Sequence, residues 1–216
     1  MSKKRNTMWI LSVIMLALFG ILIILLKFVD VQAIGPKNSS VGLASVNGWF
    51  QELFGFQQIW YDITEVLGTA VLGIALGFAL LGVWQLLKRK SLKKVDKDLY
   101  LLAGFYVAMM VVYAIFEVVV INYRPVILEN ELEASFPSSH TILSVCILGT
   151  AIQQFLLRVR VNALRYISVI VCVILLLLVV VGRMLSGVHW FTDIVGGVLI
   201  SLSLIFAYLG FYEKLK

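Results

Sequence analysis

Residues 166 to 212 read YISVIVCVILLLLVVVGRMLSGVHWFTDIVGGVLISLSLIFAYLGFY. Two apolar runs flank a short polar turn, and neither run shows the polar–apolar alternation of a half-buried strand. As helix, about 20 residues cross a hydrocarbon core of about 30 Å. Reading outward from this pair, runs of the same kind occupy 8 to 29, 65 to 87, 99 to 121 and 139 to 157, which with 166 to 183 and 191 to 212 makes six. Backbone groups in lipid must be satisfied within the segment itself, so long unalternating runs predict helices and not barrel strands. The expected fold is all-α, a six-span transmembrane bundle in a single domain over residues 1–216.

Composition agrees. The chain is 61% hydrophobic and 14% charged, with a mean hydropathy of +1.00, far from soluble globular averages. The net charge of +6 follows from topology and calls for no nucleic-acid partner. Basic residues gather in the N-terminal tail (Lys3, Lys4, Arg5), between spans two and three (Lys88, Arg89, Lys90, Lys93, Lys94, Lys97), between spans four and five (Arg158, Arg160, Arg165) and at the C-terminus (Lys214, Lys216). Short cytoplasmic loops carry such excess, so both termini are expected in the cytoplasm of a multi-pass cell-membrane protein. Lys27 snorkels at a helix end and Lys37 lies in a loop, which leaves Arg124 and Arg183 as basic residues on the outer side. The first run also resembles a signal peptide, but its apolar stretch from Met8 to Leu26 is long for one.

The outer loop from Asp30 to about Thr64 holds an aromatic stretch from Trp49 to Tyr61, which predicts a short interfacial helix. Cys146 and Cys172 fall inside spans and are expected as buried free thiols. Gly73 and Gly77 have the small-xxx-small spacing of packed helices.

Chemistry gathers on the outer side in three clusters: Tyr123-Arg124-Pro125, Phe136-Pro137-Ser138-Ser139-His140-Thr141, and the turn from Gly182 through Arg183 and His189 to Asp193. The two histidines of the chain, His140 and His189, both stand where spans begin. Ionisable residues at membrane depth are functional-site candidates by default. Two guanidiniums match phosphate oxygens, and a helix starting at Pro137 and Ser138 presents unpaired N–H groups. Together with Ser138 or Ser139 they form an oxyanion cradle in which fixed cations offset phosphoryl charge, so neither metal nor cofactor is expected. His189 and Asp193 have i, i+4 spacing, which places them on one face of a helix, with the carboxylate fixing the imidazole tautomer. His189 is thus the expected nucleophile. His140, without a carboxylate on its own helix, suits the acid that protonates a departing alkoxide.

Arg124-Pro125, Pro137-Ser138-Ser139-His140 and Arg183-x5-His189-x3-Asp193 resemble, in order, the signature motifs of the type 2 phosphatidic acid phosphatase superfamily. The resemblance covers about residues 117 to 193 and implies a membrane lipid phosphatase with the same roles for His189, Asp193 and His140. It further implies Arg124, Arg183, Ser138 and the Ser139 backbone as phosphate ligands. Three residues depart from the pattern: Gly182 replaces a Ser, Ser139 a Gly, and Glu117 the Lys expected seven positions before Arg124. Glu117 is expected to pair with Arg124 on one helix face and to disfavour diphosphates. By resemblance the substrate is a lipid phosphate reaching the site from the bilayer on the extracytoplasmic side. Phosphatidylglycerophosphate is favoured over undecaprenyl diphosphate and phosphatidate. A non-enzymatic lipid-phosphate binder or transporter uses the same cradle but has no use for a nucleophile.

Overall fold

The computed structural model describes residues 3–128 and 130–215, and Lys216, counted above among the basic residues, lies outside them. Seven α-helices follow in order: α1 (Lys3–Phe28), α2 (Ala44–Phe54), α3 (Gln58–Arg89), α4 (Lys97–Val118), α5 (Ser139–Arg158), α6 (Asn162–Leu185) and α7 (Phe191–Leu215). Six of them, all but α2, are long and apolar enough to cross a membrane. The aromatic stretch of the outer loop divides in two. Its first part forms α2, and after Gly55 the chain enters α3 at Gln58. With 32 residues α3 is about 48 Å long at 1.5 Å per residue, longer than a hydrocarbon core is thick.

The centre of the bundle is α5, packed against α3, α4, α6 and α7. Ile142, Val145, Cys146, Ile147, Leu148 and Ala151 are buried along it. Both cysteines are free and buried. Outward, Ile167, Ile170, Ile174 and Leu177 of α6 are exposed, as lipid-facing side chains are. The first span is an integral wall of the bundle. It runs against α7, where Ser12 Oγ donates to the Ser203 carbonyl at 2.9 Å and Ser203 Oγ donates back to the Ser12 carbonyl at 3.0 Å. Trp9 meets Phe211 edge-on at 4.9 Å, and Phe19 stacks on Phe136 at 5.7 Å.

One end of the bundle is basic and pinned by Asp96. Its carboxylate accepts from Arg158 Nη1, Arg89 Nη1 and Gln85 Nε2, each at 2.8 Å, tying α3, α4 and α5 together. The Arg158 and Arg89 hydrogen bonds hold this carboxyl well below the usual carboxylate range. The motif residues gather at the opposite end, where α4 and α6 finish and α5 and α7 begin.

That opposite end departs from expectation at α4. The helix stops at Val118, where a β-branched run leaves helical geometry at Val119 (φ −91°, ψ 86°). Arg124 therefore lies six residues beyond the helix, not at its end, and shares no helix face with Glu117. The connection instead folds back on itself: Tyr123 bridges Ala134, Arg124 N donates to the Glu133 carbonyl at 3.0 Å, and Ser135 N donates to the Asn122 carbonyl at 3.0 Å. These pairings satisfy backbone that has left the helix.

The turn from α6 to α7 is equally constrained. Gly187 has φ +65°, and a Cβ there would lie 1.8 Å from the Gly55 carbonyl oxygen. Only glycine combines that conformation with that approach. Gln57 N donates to the Ser186 carbonyl at 3.0 Å, which seats the same turn on the α2–α3 link. Gly187→Ala is expected to cost on the order of 2–4 kcal/mol. It should lower the midpoint of thermal unfolding in detergent, whereas an unchanged midpoint contradicts this packing.

Candidate active site

His189 lies two residues before α7 and is therefore not on a helix face with Asp193, contrary to the spacing argument. Its position comes from the turn that Gly187 permits and from Asp193, whose Oδ2 accepts from Trp190 N at 2.8 Å and closes the start of α7. The neighbouring indole N–H donates to the Tyr123 carbonyl at 2.7 Å. The Asp193 carbonyl accepts from Ser138 N at 3.0 Å, so the starts of α5 and α7 are locked together.

The ring of His189 is buried. Its Nδ1 is 3.1 Å from the Ser135 carbonyl and 3.6 Å from Asp193 Oδ2. A carbonyl only accepts, so Nδ1 carries the proton and Nε2 holds a free lone pair. The Ser135 carbonyl, unforeseen in the sequence, is the hydrogen-bond acceptor that fixes the tautomer, and Asp193 Oδ2 lies beyond hydrogen-bond distance of the ring. Among the described residues Nε2 has no hydrogen-bond partner. Burial, followed by the positive charges of Arg124 and Arg183, drives the His189 pKa well below the ordinary histidine value.

His189 shares a narrow cavity with Arg124, Ser139, Glu117 and Tyr113. Arg124 is held by Glu133, 3.0 Å from its Nε, and not by Glu117. Glu117 instead enters from α4, one turn beyond Tyr113. Ser139 opens α5 and faces the cavity. Ser138 does not: it is fully buried as the α5 N-cap, its Oγ accepting from Thr141 Oγ1 at 3.1 Å and from Thr141 N at 3.5 Å.

Arg183 and His140 form the second part of the site. Arg183 is 1% exposed at the end of α6. Its Nη1 donates to Thr64 Oγ1 at 3.1 Å, and its Nη2 donates to Glu65 Oε1 at 2.8 Å and to His140 Nδ1 at 2.6 Å. The guanidinium also faces the Tyr61 ring at 5.3 Å. A Cβ at Gly182 would lie 2.6 Å from Thr64 Cγ2, so glycine at this departure from the family pattern allows α6 to press Arg183 against α3. Nε of Arg183 is buried and has no hydrogen-bond partner among the described residues. The carboxylate that His140 lacks on its own helix comes from α3, with Glu65 Oε2 3.4 Å from His140 Nε2.

Sequence reading missed Tyr61, Thr64, Glu65, Glu133 and the Ser135 carbonyl. The one available signal was an acidic residue at the head of a membrane span, at Glu65. A cavity that brings the Arg124 guanidinium beside a buried imidazole lone pair, with the positive charge of Arg183 close enough to act on that imidazole, suits a tetrahedral oxyanion.

Comparison with known proteins gives the same direction. Over 97 residues the chain is 31% identical to phosphatidylglycerophosphatase B of Bacillus subtilis (strain 168), covering 44% of this chain and 46% of that protein. Over 89 residues it is 32% identical to lipid phosphate phosphatase delta of Arabidopsis thaliana, covering 40% of this chain and 21% of that one. The aligned stretches thus span less than half the length of either curated relative. A crystal structure titled as the first transmembrane PAP2 type phosphatidylglycerolphosphate phosphatase from Bacillus subtilis superimposes with a TM-score of 0.63. At 21% identity it covers 95% of this chain and 97% of its own, a likeness of fold. The model of the PAP2 superfamily matches residues 105–216, more than half of the sequence, and the chain belongs to that superfamily.

Proposed function

We propose that the protein is a lipid phosphate phosphatase, a single catalytic domain acting without a metal or cofactor through a phosphohistidine. The observation that carries this is the His189 ring, with Nδ1–H held by the Ser135 carbonyl and Nε2 buried, unpartnered and sharing a cavity with Arg124 and Ser139. Nε2 attacks phosphorus as the P–O bond to the lipid breaks, and His140 gives its proton to the departing alkoxide. In the second half, His140 takes a proton from water, whose oxygen bonds to phosphorus as the P–Nε2 bond breaks. Arg124, Arg183 and the Ser139 backbone bind the phosphoryl oxygens, and Asp193 orients His189. Ser138 serves by shaping the α5 start. A non-enzymatic binder has no use for the lone pair at Nε2.

The proposed substrate is phosphatidylglycerophosphate, converted to phosphatidylglycerol, in line with the activity named for the Bacillus subtilis relative. The site end lies opposite the lysine-rich end, which supports cytoplasmic termini and a site on the extracytoplasmic side of the cell membrane. Lipid would reach the site sideways from the bilayer.

Purified protein in chelator is expected to release inorganic phosphate from phosphatidylglycerophosphate, and His189→Ala to lower that rate by about 10³-fold or more. Strict metal dependence, or a His189→Ala variant of full activity, overturns the reading.

Because the folded environment depresses the His189 pKa, its lone pair remains free as pH falls and is lost only when pH drops through that lowered value. Single-turnover transfer from p-nitrophenyl phosphate, whose leaving group needs little protonation, should therefore stay on its plateau below pH 6.5. An acid limb centred at the ordinary histidine value contradicts the burial argument.

Glu117 faces the cavity in place of a cation, so it opposes highly charged headgroups. Glu117→Lys is expected to raise the ratio of diphosphate to monophosphate hydrolysis by roughly tenfold, equivalent to about 1.4 kcal/mol. An unchanged ratio, measured with undecaprenyl diphosphate and phosphatidylglycerophosphate, removes Glu117 from specificity.

A further inference from the structure

Glu65 stands outside every motif that defines the site, yet its two carboxylate oxygens are divided between the two groups that most need a partner. Oε1 accepts from Arg183 Nη2 at 2.8 Å, and Oε2 lies 3.4 Å from His140 Nε2. The side chain is 42% exposed, while the guanidinium it touches is 1% exposed, so Glu65 covers the outward edge of a buried cation. One turn along α3, a Cβ on Gly68 would lie 2.8 Å from His140 Cδ2. The imidazole is therefore packed directly on α3, within reach of Glu65.

These contacts fix where the proton of His140 can be. Arg183 Nη2 is a donor, so Nδ1 of His140 is the acceptor in the resting site and the ring proton sits on Nε2, toward Glu65. Donating from a neutral imidazole would leave an imidazolate, so the acid form in the cycle must be the imidazolium. That form cannot accept from Arg183. It needs Nδ1 released and a negative charge nearby, against the positive charges of Arg183 and Arg124. Phosphoryl oxygens drawing the Arg183 guanidinium onto themselves would supply the release. Glu65 is the carboxylate placed against this ring.

We propose that Glu65 is a positioning residue for the leaving-group proton, its carboxylate orienting His140 and serving as the countercharge of the imidazolium that His140 becomes in each turnover. This rests on the reading of His140 as the acid. The proton balance is closed: with Arg183 drawn to the phosphoryl oxygens, Nδ1 of His140 takes a proton from solvent or from the bound phosphate monoanion, gives it to the alkoxide as the P–O bond breaks, and recovers one from the water that cleaves the bond between phosphorus and His189 Nε2.

The test uses leaving groups of different need. An alkoxide requires a proton as it departs, whereas p-nitrophenolate does not. Single-turnover alcohol release is measured on the full chain in detergent, with dioctanoyl phosphatidylglycerophosphate and p-nitrophenyl phosphate, for the parent protein, Glu65→Gln, Glu65→Asp and His140→Ala. Glu65→Gln is expected to raise the ratio of aryl to alkyl rates by at least about tenfold, and Glu65→Asp to raise it less. If Glu65→Gln fails to fold, the same rise, smaller in size, is read from Glu65→Asp. Equal losses on both substrates would make Glu65 a structural support for Arg183 and overturn the proposal, as would an unchanged ratio. Should His140→Ala raise the ratio while the Glu65 variants do not, the acid reading stands and the Glu65 proposal falls. A His140→Ala ratio equal to the parent's removes both.

Discussion

A guanidinium buried to 1% exposure at a membrane helix end is the constraint around which this end of the molecule is organised. An unpaired charge at that depth is prohibitively costly, so acceptors must converge on Arg183 from whatever elements can reach it. They come from α3 through Thr64 and Glu65, from α5 through His140, and from the Tyr61 ring face. The first two turns of α3 bring Tyr61, Thr64 and Glu65 alongside the guanidinium. The same requirement gives Gly182 a reason, since a larger residue would push α6 away from Thr64.

The second half of the site is built on different physics. Around His189 the organising contacts are backbone ones: the Ser135 carbonyl on Nδ1, Trp190 N on Asp193, and Ser138 N on the Asp193 carbonyl. A non-helical hairpin and two helix starts hold one another, and the imidazole is oriented as a by-product. Such a support resists rotation better than a single carboxylate at 3.6 Å. Each half carries one guanidinium held by a carboxylate, Arg183 by Glu65 and Arg124 by Glu133, and the lone pair belongs to the half with Arg124.

Several sequence inferences hold in type but not in mechanism. The helix at α5 starts where Ser138 and Ser139 suggest, but the hydroxyl of Ser138 is occupied by the cap and only Ser139 faces the cavity. His189 and Asp193 do meet, although by a turn and not by helical spacing. Glu117 and Arg124 share the cavity without pairing, because α4 ends at Val118 and Arg124 takes Glu133 from the segment that folds back before α5. In each case the residue types were informative, whereas assuming continuous helix misled: helix ends are set by tertiary partners for the backbone, and those are distant in sequence.

The sequence by itself determined the membrane setting, the number of spans and the gathering of the His140 and His189 motifs at one end of the bundle. Hydrophobic length and charge placement are local properties, and each span declares itself without its neighbours. Only the tertiary structure decided which groups touch. It gave His140 the carboxylate of Glu65, about 75 residues earlier in the chain, and gave His189 the Ser135 carbonyl, about 54 residues away. Hydrogen bonding is a matter of ångströms and direction, set by how α3, α5 and α6 pack against one another, and no spacing along one helix contains that information.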